Sequence, residues 1–206
     1  MAIVAKGSDK ARELTPVGNY FGVVIGVYDI GTHDSDFGSK RQVVIEIELH
    51  KKSGAVRTKD GDVLTHAVFA NLTTGKDSTL RKFLEGILGR VLTPAEVKDG
   101  YDVTQLAEQP GRFRVNHVEK KKGEGLKAEL VAMPLDDDDP KPRAVSDVAV
   151  YDTLPAEPGS DVPEWVAKKI RESQEYQARG GGGGGGNGNG KAAKTAATSD
   201  DDEIPF

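Results

Sequence analysis

The chain has 206 residues, 36% hydrophobic and 30% charged, with a formal net charge of −5 and no cysteine. That length allows one folded domain plus tails, and the missing cysteines exclude a disulfide framework, a thiolate nucleophile and any Cys-based zinc site. No apolar run has the length of a membrane span and residues 1–17 hold no core of signal-peptide length, so a soluble, cytoplasmic protein is expected.

Charge is divided unevenly along the chain. Lys and Arg number 20 against 18 Asp and Glu over residues 1–134, and 8 against 15 over residues 135–206. A weakly basic front and an acidic rear are compatible with nucleic-acid binding if the cations share a face and the acids sit on a tail.

Residues 1–16 are aperiodic and read as an N-terminal arm. Residues 19–30 read as a strand. Alternation puts Phe21, Val23, Ile25 and Val27 on one face, and Tyr20, Gly22, Val24, Gly26, Tyr28 and Ile30 on the other. Two glycines on one face weaken a strand unless it must coil sharply, as a small barrel requires. Residues 31–40 form a polar loop. Residues 41–50 are the clearest strand: Arg41, Val43, Ile45, Ile47 and Leu49 alternate with Gln42, Val44, Glu46, Glu48 and His50, which predicts one core face and one watered face. Residues 51–62 make a basic turn with Lys51, Lys52, Arg57 and Lys59. Residues 63–72 make a third strand with Phe69 at its centre, read as a core residue.

Asp77 or Ser78 caps a helix whose Leu80, Phe83, Leu84, Ile87 and Leu88 form one apolar stripe, with Gly89 as its stop. Residues 93–98 and 103–108 each predict a helical turn. Strands four and five, at 111–120 and 126–133, are joined by the hairpin turn Lys121-Lys122-Gly123-Glu124-Gly125. The run Asp136 to Asp139 and the prolines at 134, 140 and 142 mark a domain edge, and 144–154 is a partly apolar extension. Asp161 with Glu164 predicts a capping box for a helix near 162–176. Its narrow stripe of Val162, Trp165, Val166 and Ile170 either folds back on the domain or pairs with a second subunit.

Nothing in the chain assembles a catalytic or metal-binding constellation. Gly75-Lys76 is followed by Asp77 instead of Ser or Thr, and Ala70 stands where a phosphate loop needs its first glycine. His33, His50, His66 and His117 lack metal-ligand spacing. Glu46 and Glu48 share a strand face, where a solvated pair is the plainer reading than a nuclease-like cation site. The expectation is a protein that is not an enzyme and carries no cofactor.

The chain closes on a different kind of signal. Residues 177–198 are a linker dominated by glycine, too poor in apolar groups to offset ordering entropy, and are expected to be disordered. A coil of that length has a root-mean-square reach of roughly 25–30 Å. Residues 199–206 form an acidic tip in which Asp200, Asp201, Asp202 and Glu203 lead into Ile204, Pro205 and Phe206. Such a tip reads as a docking peptide: the carboxylates steer toward a basic rim, Phe206 fills a pocket and the terminal carboxylate pairs with an Arg or Lys.

This tip and linker resemble the C-terminus of bacterial and phage single-stranded DNA-binding proteins, in which an OB-fold domain is followed by a Gly-rich linker and a tip ending in Asp-Asp-Ile-Pro-Phe or a close variant. Glu203 between the aspartates and Ile204 departs from that pattern while keeping the charge. The resemblance covers the tip and linker closely and the rest of the chain only through its order of elements. Five short strands with a helix between the third and fourth fit a mainly β, five-stranded OB-fold barrel over residues 17–134; the same order also describes an open α+β sheet. The resemblance implies a non-catalytic protein that coats single-stranded DNA during replication or recombination in a bacterial host cell. Its tip would recruit a polymerase, helicase, primase or recombination protein.

Single-strand binders combine cations that track phosphates with rings that stack on bases. The candidates here are Phe37, Lys40 and Arg41 at the first loop, and Lys51, Lys52 and Arg57 at the second. Arg112 and Arg114 stand on the fourth strand, and Lys120, Lys121, Lys122 and Lys127 on the last hairpin. Tyr20 and Tyr28, on the glycine face of the first strand, are the stacking candidates. The rival reading is an adaptor that carries the tail and binds no DNA.

Overall fold

In chain order the elements are β1 (Gly18–His33), β2 (Lys40–Lys51), β3 (Gly54–Ala55), β4 (Thr65–Asn71), α1 (Thr79–Leu88), α2 (Pro94–Asp99), β5 (Pro110–Glu119), β6 (Leu126–Met133), β7 (Ala149–Tyr151), α3 (Glu164–Arg171) and α4 (Gln174–Ala178), with a 3-10 turn at Val103–Leu106. The computed structural model describes residues 14–35, 38–120, 124–159 and 162–180. The fold is mainly β: one open, largely antiparallel sheet with few helices.

β1 is the strand on which the others assemble. It pairs with β2 from Phe21↔His50 to His33↔Lys40. On its other edge, residues 18–23 pair with β5, from Gly18↔Val115 to Val23↔Pro110, and Gly26, Val27 and Tyr28 pair in parallel with β7. β2 in turn carries β4, and β5 carries β6. The strands number seven where the hydrophobic pattern predicted five. β3 is a two-residue return inside the basic turn, and β7 comes from the extension. The barrel is not closed: among the described residues no ladder joins β4 to β6. Two other features occupy that seam. Thr15 lines its cleft and ties β4 to β5, with Oγ1 3.0 Å from His66 Nδ1 on β4 and its carbonyl 2.9 Å from His117 Nε2 on β5. Further along, α1 presses on β6 so closely that a Cβ on Gly86 would collide with the Ala132 carbonyl.

The helix signals are realised locally. Ser78 is the N-cap of α1, accepting from Arg81 N–H at 3.1 Å, and Gly89 ends it in the left-handed region at φ 66°. Thr93 and Glu96 form a capping box on α2. The expected helix near 162–176 is instead two: the first ends with Glu172 as its C-cap, and Ser173 caps the second by accepting from Tyr176 N–H. Asp161, the expected cap of the first, lies outside the described residues; Pro163 stands at the N-cap of α3 without a side-chain hydrogen bond.

Two apolar layers result. The inner one joins Val43, Ile45, Ile47 and Leu49 of β2 to Phe113 and Val115 of β5 and to the stripe of α1. The outer one seats Val166, Ala167 and Ile170 of α3 and Tyr176 of α4 on Tyr28, Ile30 and Val44. β2 is therefore buried on both faces, and its Glu46, Glu48 and His50 are covered instead of watered. Burial of those polar groups requires partners. Glu48 accepts from His50 Nε2 at 2.6 Å, from Val145 N–H at 3.0 Å and from Ser146 N–H at 2.9 Å. Burial pushes its carboxyl up, but the bonds from Ser146, Val145 and His50 outweigh burial and hold it below the ordinary carboxylate value.

Candidate nucleic-acid interface

Strand register gathers cations from three elements at one end of the sheet. Arg114 stands opposite Asn19 at the start of β1, and Phe21 stands opposite His50, so Lys51 and Lys52 leave β2 at the same end. The β5–β6 hairpin runs on past this edge, with Val118 opposite Lys127 and Lys120 N–H bonded to the Gly125 carbonyl at 3.1 Å. Lys52, Arg114, Lys120 and Lys127 are exposed, and their side chains have no ion-pair or hydrogen-bond partner among the described residues. Lys51 is engaged: its Nζ donates to the Asn19 carbonyl at 2.5 Å and lies 3.8 Å above the Tyr20 ring. Arg57 donates to the Gly61 carbonyl at 2.8 Å and tightens its own loop.

The remaining cation candidates fall elsewhere. Lys40 and Arg41 stand at the opposite end of β1, across from His33 and Thr32. Lys40 is exposed, whereas Arg41 is committed to the buried carboxylate of Asp29 through Nε and Nη2. That bond raises the Arg41 pKa further, and burial only partly opposes it. Arg112 is tied to Asp136 at 2.6 Å and to Asp139 at 3.2 Å. The acidic run after β6 thus neutralises an arginine of β5. Phe37, Lys121 and Lys122 lie outside the described residues, as do Asp200, Asp201, Asp202, Glu203, Ile204, Pro205 and Phe206.

Both expected stacking tyrosines are buried, and on opposite faces. Tyr20 packs in the inner layer and donates its hydroxyl to the Pro16 carbonyl at 2.9 Å. Tyr28 packs in the outer layer, its ring 6.0 Å from that of Tyr151. The cause is a register shift between Val24 and Gly26, where β1 gains a residue relative to β2 and its alternation inverts. The aromatic surface that is presented comes from residues assigned elsewhere. Phe69, read as core, is 47% exposed, and its ring centroid lies 5.9 Å from that of Trp165 on α3, at 59°. Its outward aim is visible in the sequence, since Thr65, Ala67 and Asn71 share its side of β4 and carry no large apolar group.

Among the described residues no group of three or more His, Asp or Glu side chains could hold a metal ion, and no helix is long and apolar enough to cross a membrane. Chemically the surface offers cations, an exposed phenylalanine against a half-buried tryptophan, and a sheet edge, which suit recognition of a polyanion. No family model matches the chain, and no curated protein is significantly similar to it.

Proposed function

We propose that the protein binds single-stranded DNA without catalysis, through the basic end of its sheet, and recruits replication or recombination proteins through residues 200–206. One observation carries the reading. Lys52, Arg114, Lys120 and Lys127 come to one end of the sheet from three separate elements and have no ion-pair partner among the described residues. A chain that spends other cations on Asp29, Asp136 and Asp139 while leaving these open has a surface suited to phosphates. The tip resembles that of single-stranded DNA-binding proteins and supports the recruiting role. The strand order supports an OB-type barrel built from β1, β2, β4, β5 and β6, with α1 between β4 and β5 and the β4–β6 seam left open.

A second reading has its own support. The outer face of β1 and β2 is covered by the extension and α3, and both tyrosines are buried, which favours an adaptor that carries the tail and binds no DNA. One titration separates the two: fluorescence anisotropy of a labelled oligo-dT of about thirty nucleotides, with duplex competitor, at low and moderate salt. Binding that resists duplex and weakens with salt supports the first reading. An unchanged anisotropy, with or without residues 199–206, leaves the adaptor.

A further inference from the structure

We infer that the bases of a bound single strand stack on Phe69 and Trp165, so that α3 is part of the nucleic-acid site and not merely a cover over the sheet. This rests on the proposed DNA-binding function and says where the bases go.

Val166, Ala167 and Ile170 of α3 pack on the outer face of β1 and β2 and leave Tyr28 3% exposed, too little ring for a base to stack on. The same helix brings Trp165 to the rim of the sheet. There it meets Phe69, which stands opposite Val44 in the β2–β4 register and projects beside the covered face. A phenylalanine left 47% exposed forgoes much of the gain of burial, about 25 cal/mol per Å². Leu14, 41% exposed, lines the same cleft as Phe69, and a contiguous apolar patch marks a binding surface more often than singly scattered residues do.

The cleft beside the pair favours a polyanion. It has a volume of about 300 Å³ and runs along the open seam, between Leu14, His66, Ala67 and Phe69 on one side and Lys127 and Ala128 on the other. Its one charged lining residue is Lys127. Four other clefts have linings that are neutral or net negative: Glu46 and Asp147 in one, Asp77 and Glu129 with Lys82 in another, Glu164 with Arg171 in a third, and Asp29, Asp102 and Asp152 with Arg41 in a fourth. None of those four has the net positive lining that this one has, so phosphates are favoured here over them. Lys127 also belongs to the basic end described above, so a strand held there by its phosphates is led onto the aromatic pair. Rings for bases beside a cation for phosphate is the combination that sequence-tolerant single-strand binding uses.

Trp165 is the single tryptophan of the chain, which makes its emission a local probe. The full-length protein is titrated with oligo-dT of about thirty nucleotides, following Trp165 fluorescence and, in parallel, anisotropy of the labelled oligonucleotide. The expected result is quenching that saturates with the anisotropy. Phe69→Leu, which keeps an apolar group on the surface and removes the π-face, should weaken binding roughly 5- to 150-fold, the span of one lost base–aromatic stack; Phe69→Tyr should bind as the parent does. Circular dichroism and melting of the Leu variant confirm that it is folded. If the parent binds the oligonucleotide and Phe69→Leu binds it equally well, the inference is overturned while the proposed function stands. If the parent shows no anisotropy change, the proposed function itself fails.

Discussion

Glu48 holds Val145, 97 residues further along the chain, through a 3.0 Å hydrogen bond from the Val145 N–H. With the adjoining bond from Ser146 N–H and the one from His50, this buried carboxylate fastens the extension to β2 just before β7 begins. Glu48→Ala would leave two amide donors and an imidazole without their acceptor. The bonds from Val145 and Ser146 are only part-buried, so water can replace the carboxylate there, whereas His50 is buried; a loss of about 1–3 kcal/mol in urea unfolding, the cost of one buried unsatisfied group, is expected.

The same residue predicts a pH dependence. The folded state holds the Glu48 pKa below its ordinary value of 4.5, so the ionised form is favoured by folding. Its contribution is fully present above about 4.5 and is lost as pH falls through the lowered folded value. Glu48→Gln should therefore be less stable than the parent near pH 7, and the gap should narrow as pH is lowered below about 4.5. Urea midpoints of both proteins between pH 7 and pH 3 test this; a gap that stays constant would count against the carboxylate network.

Gly86 sets two effects against each other. In the middle of α1, alanine is favoured over glycine by about 1 kcal/mol of helix propensity. A Cβ at that position, however, meets the carbonyl oxygen, the carbonyl carbon and the Cβ of Ala132, and two of these are backbone atoms of β6 that cannot step aside. Overpacking of this kind costs about 1–3 kcal/mol and should win. Gly86→Ala is expected to lower the melting temperature, whereas a rise would mean that α1 can move away from the seam.

These two sites mark the limit of what the sequence disclosed. Ser78, the α1 stripe and Gly89 signalled their helix because a cap, a period and a stop are local. The β5–β6 hairpin was legible for the same reason. The covered face of β2 was not: Glu46, Glu48 and His50 look solvated until Val145, Ser146 and α3 arrive from about a hundred residues downstream. Nor was the fate of Tyr20 and Tyr28, since one extra residue in β1 inverts an alternation that the sequence presents as unbroken. Phe69 was legible in principle, through its small and polar neighbours on the same side of β4, but its partner Trp165 was not, because only the fold-back of α3 brings them together. Among the cations, composition counts Arg41, Arg112 and Arg114 alike; which of them faces an aspartate depends on register and on the return of residues 136–139.

That difference between arginines gives a paired prediction. Arg114 has no acidic partner among the described residues, while Arg112 is held by Asp136 and Asp139. Arg114→Ala should weaken single-strand binding and reduce the slope of log Kobs against log salt by about 0.7, the value for one phosphate contact on a single strand. Arg112→Ala should leave the slope unchanged and instead lower stability, because it strands two carboxylates beside β5. Salt titrations of both variants against oligo-dT check the pair, and a reduced slope for Arg112→Ala alone would reverse the assignment.

The acidic tip and the unpartnered cations make the last prediction. Residues 200–203 add four carboxylates to a chain whose Lys52, Arg114, Lys120 and Lys127 form no ion pair among the described residues. A tip that visits those cations competes with DNA for them. Deleting residues 199–206 should then tighten oligo-dT binding at low salt, where charges interact over roughly 30 Å at 0.01 M, and have little effect near 1 M, where the screening length falls to about 3 Å. Deleting Phe206 alone leaves those four carboxylates in place, so it should leave DNA affinity unchanged while abolishing capture of replication proteins. Affinity equal in the full-length and truncated proteins at every salt concentration would remove the competition and leave the tip with docking alone.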